Sequence, residues 1–250
     1  MTSKQAMLMA TVLATAGCAV LDRVVPAKPL TSPYATRRVW AVVPPTNQSG
    51  STAADPLAIA DQLVNQIERV ENLHALPVNR VLAAMEAGQI QQVDSPAVAM
   101  TLMRVLGADG LIVGSISLCD PYDPPKLAMA MELYASEQTE RYELVQLRYL
   151  SSAATAEQAY IQPPDIELDQ PVSQVSAAFD ASDPAVRAEL EKYAAARGAE
   201  RGDRDDWRRY RINMNLFREF VAAGMTRRLL EAEAQRLAQI ASELEPEPAP

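Results

Sequence analysis

The sequence predicts an α/β domain, α+β-like in its later part: a small mixed sheet covered by helices, with a long C-terminal helix closing the domain. Three observations carry this. Around residues 106–116 a helical pattern ends at Gly107, turns through Ala108 and Asp109, and enters the apolar run Leu111, Ile112, Val113. A short glycine-bounded run of this kind reads as a strand buried on both faces, fed directly by a helix. Upstream, short β-rich runs alternate with segments of helical period. Downstream, Leu127, Met129, Met131 and Leu133 alternate with period two, and a wide apolar helical stripe follows Trp207.

Composition sets the limits. The chain has 250 residues, 48% hydrophobic and 22% charged, which suits one globular domain with appendages. Its net charge of -9 excludes an extended nucleic-acid footprint, which needs a basic face against phosphate.

The N-terminus reads as a processing segment. Lys4 precedes an uncharged run over residues 6–16, too short for the roughly 20 apolar residues of a membrane span. Leu13, Ala14, Thr15, Ala16 and Gly17 then lead into Cys18, as in a bacterial lipobox, with Thr15 at the usual aliphatic place. Residues 1–17 are expected to be a lipoprotein signal peptide and Cys18 the lipidated residue. Residues 18–36, with Pro26, Pro29 and Pro33, read as a flexible tether. The remaining cysteine, Cys119, ends the buried run and reads as a small apolar filler.

The domain itself is expected over residues 37–230. Residues 38–43 form a first strand, stopped by Pro44 and Pro45, which lack a ladder N–H. Residues 46–54 are a polar loop that lacks the lysine of a phosphate loop. Asp55 and Pro56 start a helix whose Ala60, Leu63, Val64 and Ile67 share a face. A short strand over 74–78 follows, then a helix capped by Asn79 and stopped by Gly88, and a third helix begun by Ser95 and Pro96. The buried strand 111–118, a proline-rich connection 119–126 and the alternating strand 127–135 come next. A further strand is expected over 143–149, an irregular insertion over 151–185 with a returning strand at 172–179, and a helix opened by Asp183 and Pro184. Residues 197–206 read as a charged surface loop, and 207–244 as one long helix with Ile212, Leu216 and Phe220 widening its inward stripe. Residues 231–250 are its extension and a disordered tail.

Candidate chemistry is sparse. His74 is the single histidine, with no evident nucleophile beside it, and it reads as structural. One histidine and two separated cysteines make no transition-metal set, and no cofactor is expected. Asp120 and Asp123 read as turn formers. Asn47, Tyr122, Arg201, Arg204 and Arg208 are the candidate partner-binding residues, because loops on a rigid scaffold carry binding and arginine suits carboxylate.

Val39, Trp40, Ala41, Val42, Val43, Pro44 and Pro45, the Ala60/Leu63/Ile67 helix, and Leu106, Gly107, Ala108, Asp109, Gly110, Leu111, Ile112, Val113 and Gly114 together resemble a family of bacterial envelope lipoproteins. These share the α/β domain of LpoB, CsgG and the TolB N-terminal region. The resemblance covers residues 38 to about 148 and the closing helix. It implies a scaffold at Gly107–Gly110 rather than a catalytic site. Long amphipathic hairpins suited to a membrane barrel are not visible, which weighs against a CsgG-like pore.

The expectation is a non-catalytic, lipid-anchored envelope lipoprotein, on the outer membrane and facing the periplasm. It acts as a protein-binding adaptor or regulator of a cell-envelope assembly, in the manner of a cell-wall synthase activator. The alternative is an oligomeric subunit of a secretion or export apparatus; a second alternative is an envelope enzyme. The expected partner is another envelope protein, with the membrane reached through the N-terminal lipid, no nucleic acid, and a homo-oligomer as a further possibility. Growth with radioactive palmitate is expected to label the wild-type chain and not Cys18→Ser; equal labelling of both, or of neither, contradicts lipidation at this residue.

Overall fold

A computed structural model describes residues 30–135, 170–201 and 206–244. Within these residues the fold is a six-stranded mixed sheet and six helices. The strands are β1 (Arg38–Val42), β2 (Thr46–Asn47), β3 (Leu73–Ala75), β4 (Gly110–Asp120), β5 (Lys126–Ala135) and β6 (Ser173–Asp180). The helices are α1 (Pro56–Ile67), α2 (Val78–Ala87), α3 (Pro96–Leu106), α4 (Pro184–Arg201), α5 (Trp207–Ile212) and α6 (Met214–Leu244). The sheet order is β3-β1-β4-β5-β6, with β2 beside β4. β1 is parallel to both neighbours, whereas β4, β5 and β6 are antiparallel to one another.

Crossover handedness places the helices. From β1 the chain steps one way to β3 through α1, then back across β1 to β4 through α2 and α3. One hand of crossover taken in opposite directions puts α1 and the α2–α3 pair on opposite faces. Two cores result. The larger joins Trp40, Val42, Ile112, Ile116, Leu127, Met129, Met131, Leu133 and Phe179 to α1, α4, α5 and α6. The smaller joins Ala41, Val43, Leu111 and Tyr134 to α2 and α3. The period-two stripe of β5 faces the larger core throughout, as its sequence pattern requires.

Local signals are used as read at several places. Asp55 caps α1 by accepting the Ala58 N–H at 3.1 Å, and Pro56 occupies its first turn. Gly107 ends α3 in the left-handed conformation (φ 64°), which a side chain resists. Gly114 lets β5 approach β4: a Cβ there lies 2.7 Å from the Ala130 carbonyl oxygen.

The structure corrects other expectations. β4 is buried on both faces only in its first residues; Ser117 and Leu118 are exposed, because α2 and α3 reach no further along the sheet. β2 lies within the expected polar loop. Pro44 and Pro45 interrupt the strand, and the chain then resumes pairing along β4 at Ser115 and Ile116, over a stretch too short to show a period. β3 is shorter than expected because Val78 opens α2, and no side chain caps that helix, Asn79 included. The expected loop at 197–206 is helical through Arg201. Arg197 is 8% exposed and paired with Glu219, so a guanidinium held by an ion pair extends the apolar stripe of Leu190 and Ala194.

The long helix breaks at Asn213, whose extended backbone ends α5. Its Oδ1 accepts the Asn215 and Leu216 N–H groups and restarts the chain as α6. The break turns Ile212 out to 78% exposure, against the inward place its spacing suggests. The 143–149 strand, most of the 151–185 insertion and the 245–250 tail lie outside the described residues. α6 stays packed through Glu233, which is fully buried.

Asp109 fastens the α3–β4 turn to β1. Its N–H donates to the Val39 carbonyl at 2.7 Å, and its Oδ2 accepts the Val39 N–H at 2.7 Å. Gly114→Val is expected to cost about 2–3 kcal/mol through the clash with a backbone oxygen, lowering Tm by roughly 5–10 °C. Asp109→Asn keeps an acceptor and is expected to change Tm little, whereas Asp109→Ala is expected to lose about 1–2 kcal/mol. Thermal unfolding followed by circular dichroism checks all three.

Candidate interaction surface

The connections at the C-terminal end of β4 form a common surface. β2 and the 48–53 loop lie beside the second half of β4, and the 121–125 connection joins β4 to β5 at the same end. The larger core brings α5 and the start of α6 there. Arg211 donates to Asp123 Oδ1 at 2.7 Å, and Arg218 donates to the Ala53 carbonyl at 2.7 Å. We refer to this as the loop end of the domain.

Of the five candidate partner-binding residues, three fall here. Tyr122 is 80% exposed, its backbone N–H held by Asp120 Oδ1 at 3.2 Å. Arg208 is largely exposed, 5.2 Å from the centre of the Trp207 ring and 3.5 Å from Asp206. Asn47 is exposed but committed to its loop: Oδ1 accepts from the Ser49 N–H and hydroxyl, and Nδ2 donates to the Ser51 carbonyl at 2.9 Å. It shapes the surface rather than offering free polar groups. Arg201 lies in the last turn of α4. Arg204 lies outside the described residues, as does Cys18.

The sequence reading missed Leu57, Leu118 and Ile212. Together with Tyr122 they make four of the six exposed large hydrophobic side chains among the described residues, and topology places all four at the loop end. Leu57 is in the first turn of α1, Leu118 near the end of β4, and Ile212 beside Arg211. No local signal marks them, because each reads as part of an ordinary apolar pattern. The other two, Leu82 and Val105, are on α2 and α3. An open apolar groove of about 460 Å³ runs between those helices, lined by Ala84, Ile90, Val98 and Val105 among others.

Reactive groups are held quiet. His74 Nδ1 lies 2.7 Å from Glu68 Oε1, which also accepts the Ala75 N–H at 2.6 Å, so the histidine braces the α1–β3 turn. Cys119 is a free, buried thiol whose pKa is pushed up by burial against the opposing influence of Arg218, which keeps it unionised. Burial and the neighbouring Glu219 raise the Tyr193 hydroxyl far above its usual value, and it donates to Glu219 Oε1 at 3.2 Å. Among the described residues no group of three or more His, Cys, Asp or Glu is arranged to hold a metal ion, and no helix is long and apolar enough to cross a membrane.

At the margin of the loop end, Asp180 is held down to about 2, first by the Ser182 hydroxyl and then by Lys126, whose Nζ is 2.9 Å away. A carboxylate lowered in the folded state stabilises it fully above its unfolded pKa near 3.8 and loses that contribution as pH falls through about 2. Asp180→Asn is therefore expected to flatten the fall of Tm between pH 4 and pH 2 while leaving the shape of the curve above pH 5 unchanged. An unaltered acid limb in that variant contradicts the assignment.

No family model matches this chain, and no curated protein matches it in sequence. Solved structures do. The LpoB C-terminal domain from Salmonella enterica aligns at 17% identity over 44% of this chain and 78% of its own, with a TM-score of 0.34. Lipoprotein GNA1162 from Neisseria meningitidis aligns at 13% identity over 65% and 99%, with a TM-score of 0.37. The hypothetical protein CT253 from Chlamydia trachomatis aligns at 10% identity over 82% and 97%, with a TM-score of 0.34. The LpoB domain named by the sequence resemblance is thus among the structures this chain is similar to.

Proposed function

We propose that this chain is a lipid-anchored envelope lipoprotein that works by binding another envelope protein through its loop end, without catalysing a reaction. The observation that carries this is that Leu57, Leu118, Tyr122 and Ile212 are all exposed at the end of the domain that also holds Arg208 and Arg211. Exposed aliphatic and aromatic side chains cost solubility when clustered, and an aromatic anchor with arginine is the composition that concentrates binding energy at protein interfaces. The partner surface that fits is apolar at its centre and acidic at its margin, so that the exposed Arg208 meets a carboxylate. Cys18 supplies the anchor in this reading, and the acidic chain as a whole does not compete for nucleic acid.

The test is capture of partners from detergent-solubilised membranes by the tagged full chain. Tyr122→Ser combined with Ile212→Ser is expected to reduce capture at least tenfold while circular dichroism stays unchanged, as truncation of two anchor residues implies. Leu82→Ser with Val105→Ser, on the α2–α3 face, is expected to leave capture intact. Capture that survives the first pair and fails with the second assigns binding to the groove instead. Recovery of additional copies of this chain alone favours the oligomeric reading.

A further inference from the structure

The end of the sheet opposite the loop end holds the incoming N-terminal segment through a buried carboxylate. Glu233 of α6 is fully buried and carries donors from three parts of the chain. Its Oε1 accepts the Tyr34 hydroxyl at 2.7 Å, and its Oε2 accepts the Ser173 hydroxyl, on the first residue of β6, at 2.7 Å. Arg236 closes the set, its Nε donating at 2.8 Å and its second nitrogen forming an ion pair. Burial pushes this carboxyl up, but Arg236, Ser173 and Tyr34 more than offset that and leave it below the usual range, so it is ionised.

The segment it holds has further contacts, Asn72 Nδ2 donating to the Tyr34 carbonyl at 3.4 Å among them. Thr31 makes a single parallel bridge to Glu71, Leu30 packs at the edge of the larger core, and the Tyr34 ring meets Trp40 edge-on at 6.0 Å. Arg38 lies 5.6 Å from the Tyr34 ring centre.

The direction of the elements fixes where this happens. Tyr34 precedes β1, whose Trp40 pairs with Gly110 at the start of β4, and Ser173 pairs with Leu133 near the end of β5. Both mark the start of β4, whereas Tyr122 follows its end. Eleven residues of strand separate the two ends, about 35 Å. α6 gives the same order independently, starting at the loop end and reaching Glu233 some 30 Å along its axis.

We propose that Glu233 locks the incoming chain at the end of the domain opposite the interaction surface, so that a chain anchored at residue 18 carries the Tyr122 end away from the lipid surface. This rests on the lipid-anchored reading. The chain from residue 18 to Tyr34 then reaches at most about 55 Å between lipid and lock. Without the lock, the attachment point slides toward β1 and the tether lengthens, loosening the orientation. The continuation of α6 past Glu233 projects from the locked end, and so faces the lipid.

Two measurements on the full chain, expressed in a bacterial host and reconstituted into phosphatidylethanolamine–phosphatidylglycerol vesicles with a headgroup-labelled acceptor, test this. A donor dye at Ser242→Cys is expected to transfer energy at least twice as efficiently as the same dye at Tyr122→Cys; equal transfer, or the reverse order, overturns the orientation. In parallel, Tyr34→Phe, which removes one donor and leaves Ser173 and Arg236 on Glu233, is expected to speed hydrogen exchange over residues 31–37 at least tenfold with the sheet unaffected. Unchanged exchange there overturns the lock. A folded chain that fails to associate with vesicles counts against the lipid anchor and against the membrane-facing orientation, and the exchange result, which needs no membrane, still decides the lock.

Discussion

The clasp between Asp109 and Val39 is the contact on which the rest of this fold depends. The α3–β4 turn must deliver β4 alongside β1 in one register, and two reciprocal hydrogen bonds of 2.7 Å set it before Trp40 pairs with Gly110. Every other strand is placed relative to β4 directly or through one neighbour. A slip of one residue there would turn Ile112 and Ile116 away from the larger core, since successive side chains face opposite ways. The left-handed turn at Gly107 makes the clasp reachable, and the missing side chain at Gly114 lets β5 follow.

From that register follows the division of the molecule along its length. One end of the sheet collects turns whose polar side chains tie segments together, Asn72 and Asp109 in contact with solvent and Ser173 and Glu233 buried. The other collects the loops and helix starts, and there apolar side chains are left in solvent. The two buried acid clusters on α6 fit this division. Glu219 meets Arg197 and Tyr193 between helices, and Glu233 meets Tyr34, Ser173 and Arg236 beside the entering chain. A buried carboxylate persists only where donors surround it, so each marks a place where the packing is closely specified.

Much of the fold is legible because its signals are local. The caps at Asp55 and Gly107, the proline stops after β1 and the period-two stripe of β5 depend on neighbours in sequence, and the structure uses each as read. The misreadings share a different cause. Residues 197–201 look like a solvated loop because their charges suggest water, yet Glu219, remote in sequence, provides the partner that keeps Arg197 buried and the helix continuous. Asn213 breaks a helix whose apolar period runs on through it, because two N–H groups can be recapped by its side chain. Of the candidate site, Tyr122 and Arg208 were legible as exposed loop and charged residues. Leu57, Leu118 and Ile212 were not, because exposure belongs to the assembled surface.

The sequence by itself determined most of the elements, their order and most of their inward faces, since helix and strand periods, caps and proline stops are properties of short windows. Only the tertiary structure decided that β1 would sit between β3 and β4, that Asp123 would meet Arg211, and that Tyr34 would meet Glu233 across a separation of 199 residues. Those contacts join segments that carry no mutual signal in the chain. They form because crossover handedness and the register of one strand pair leave each segment a single place to lie.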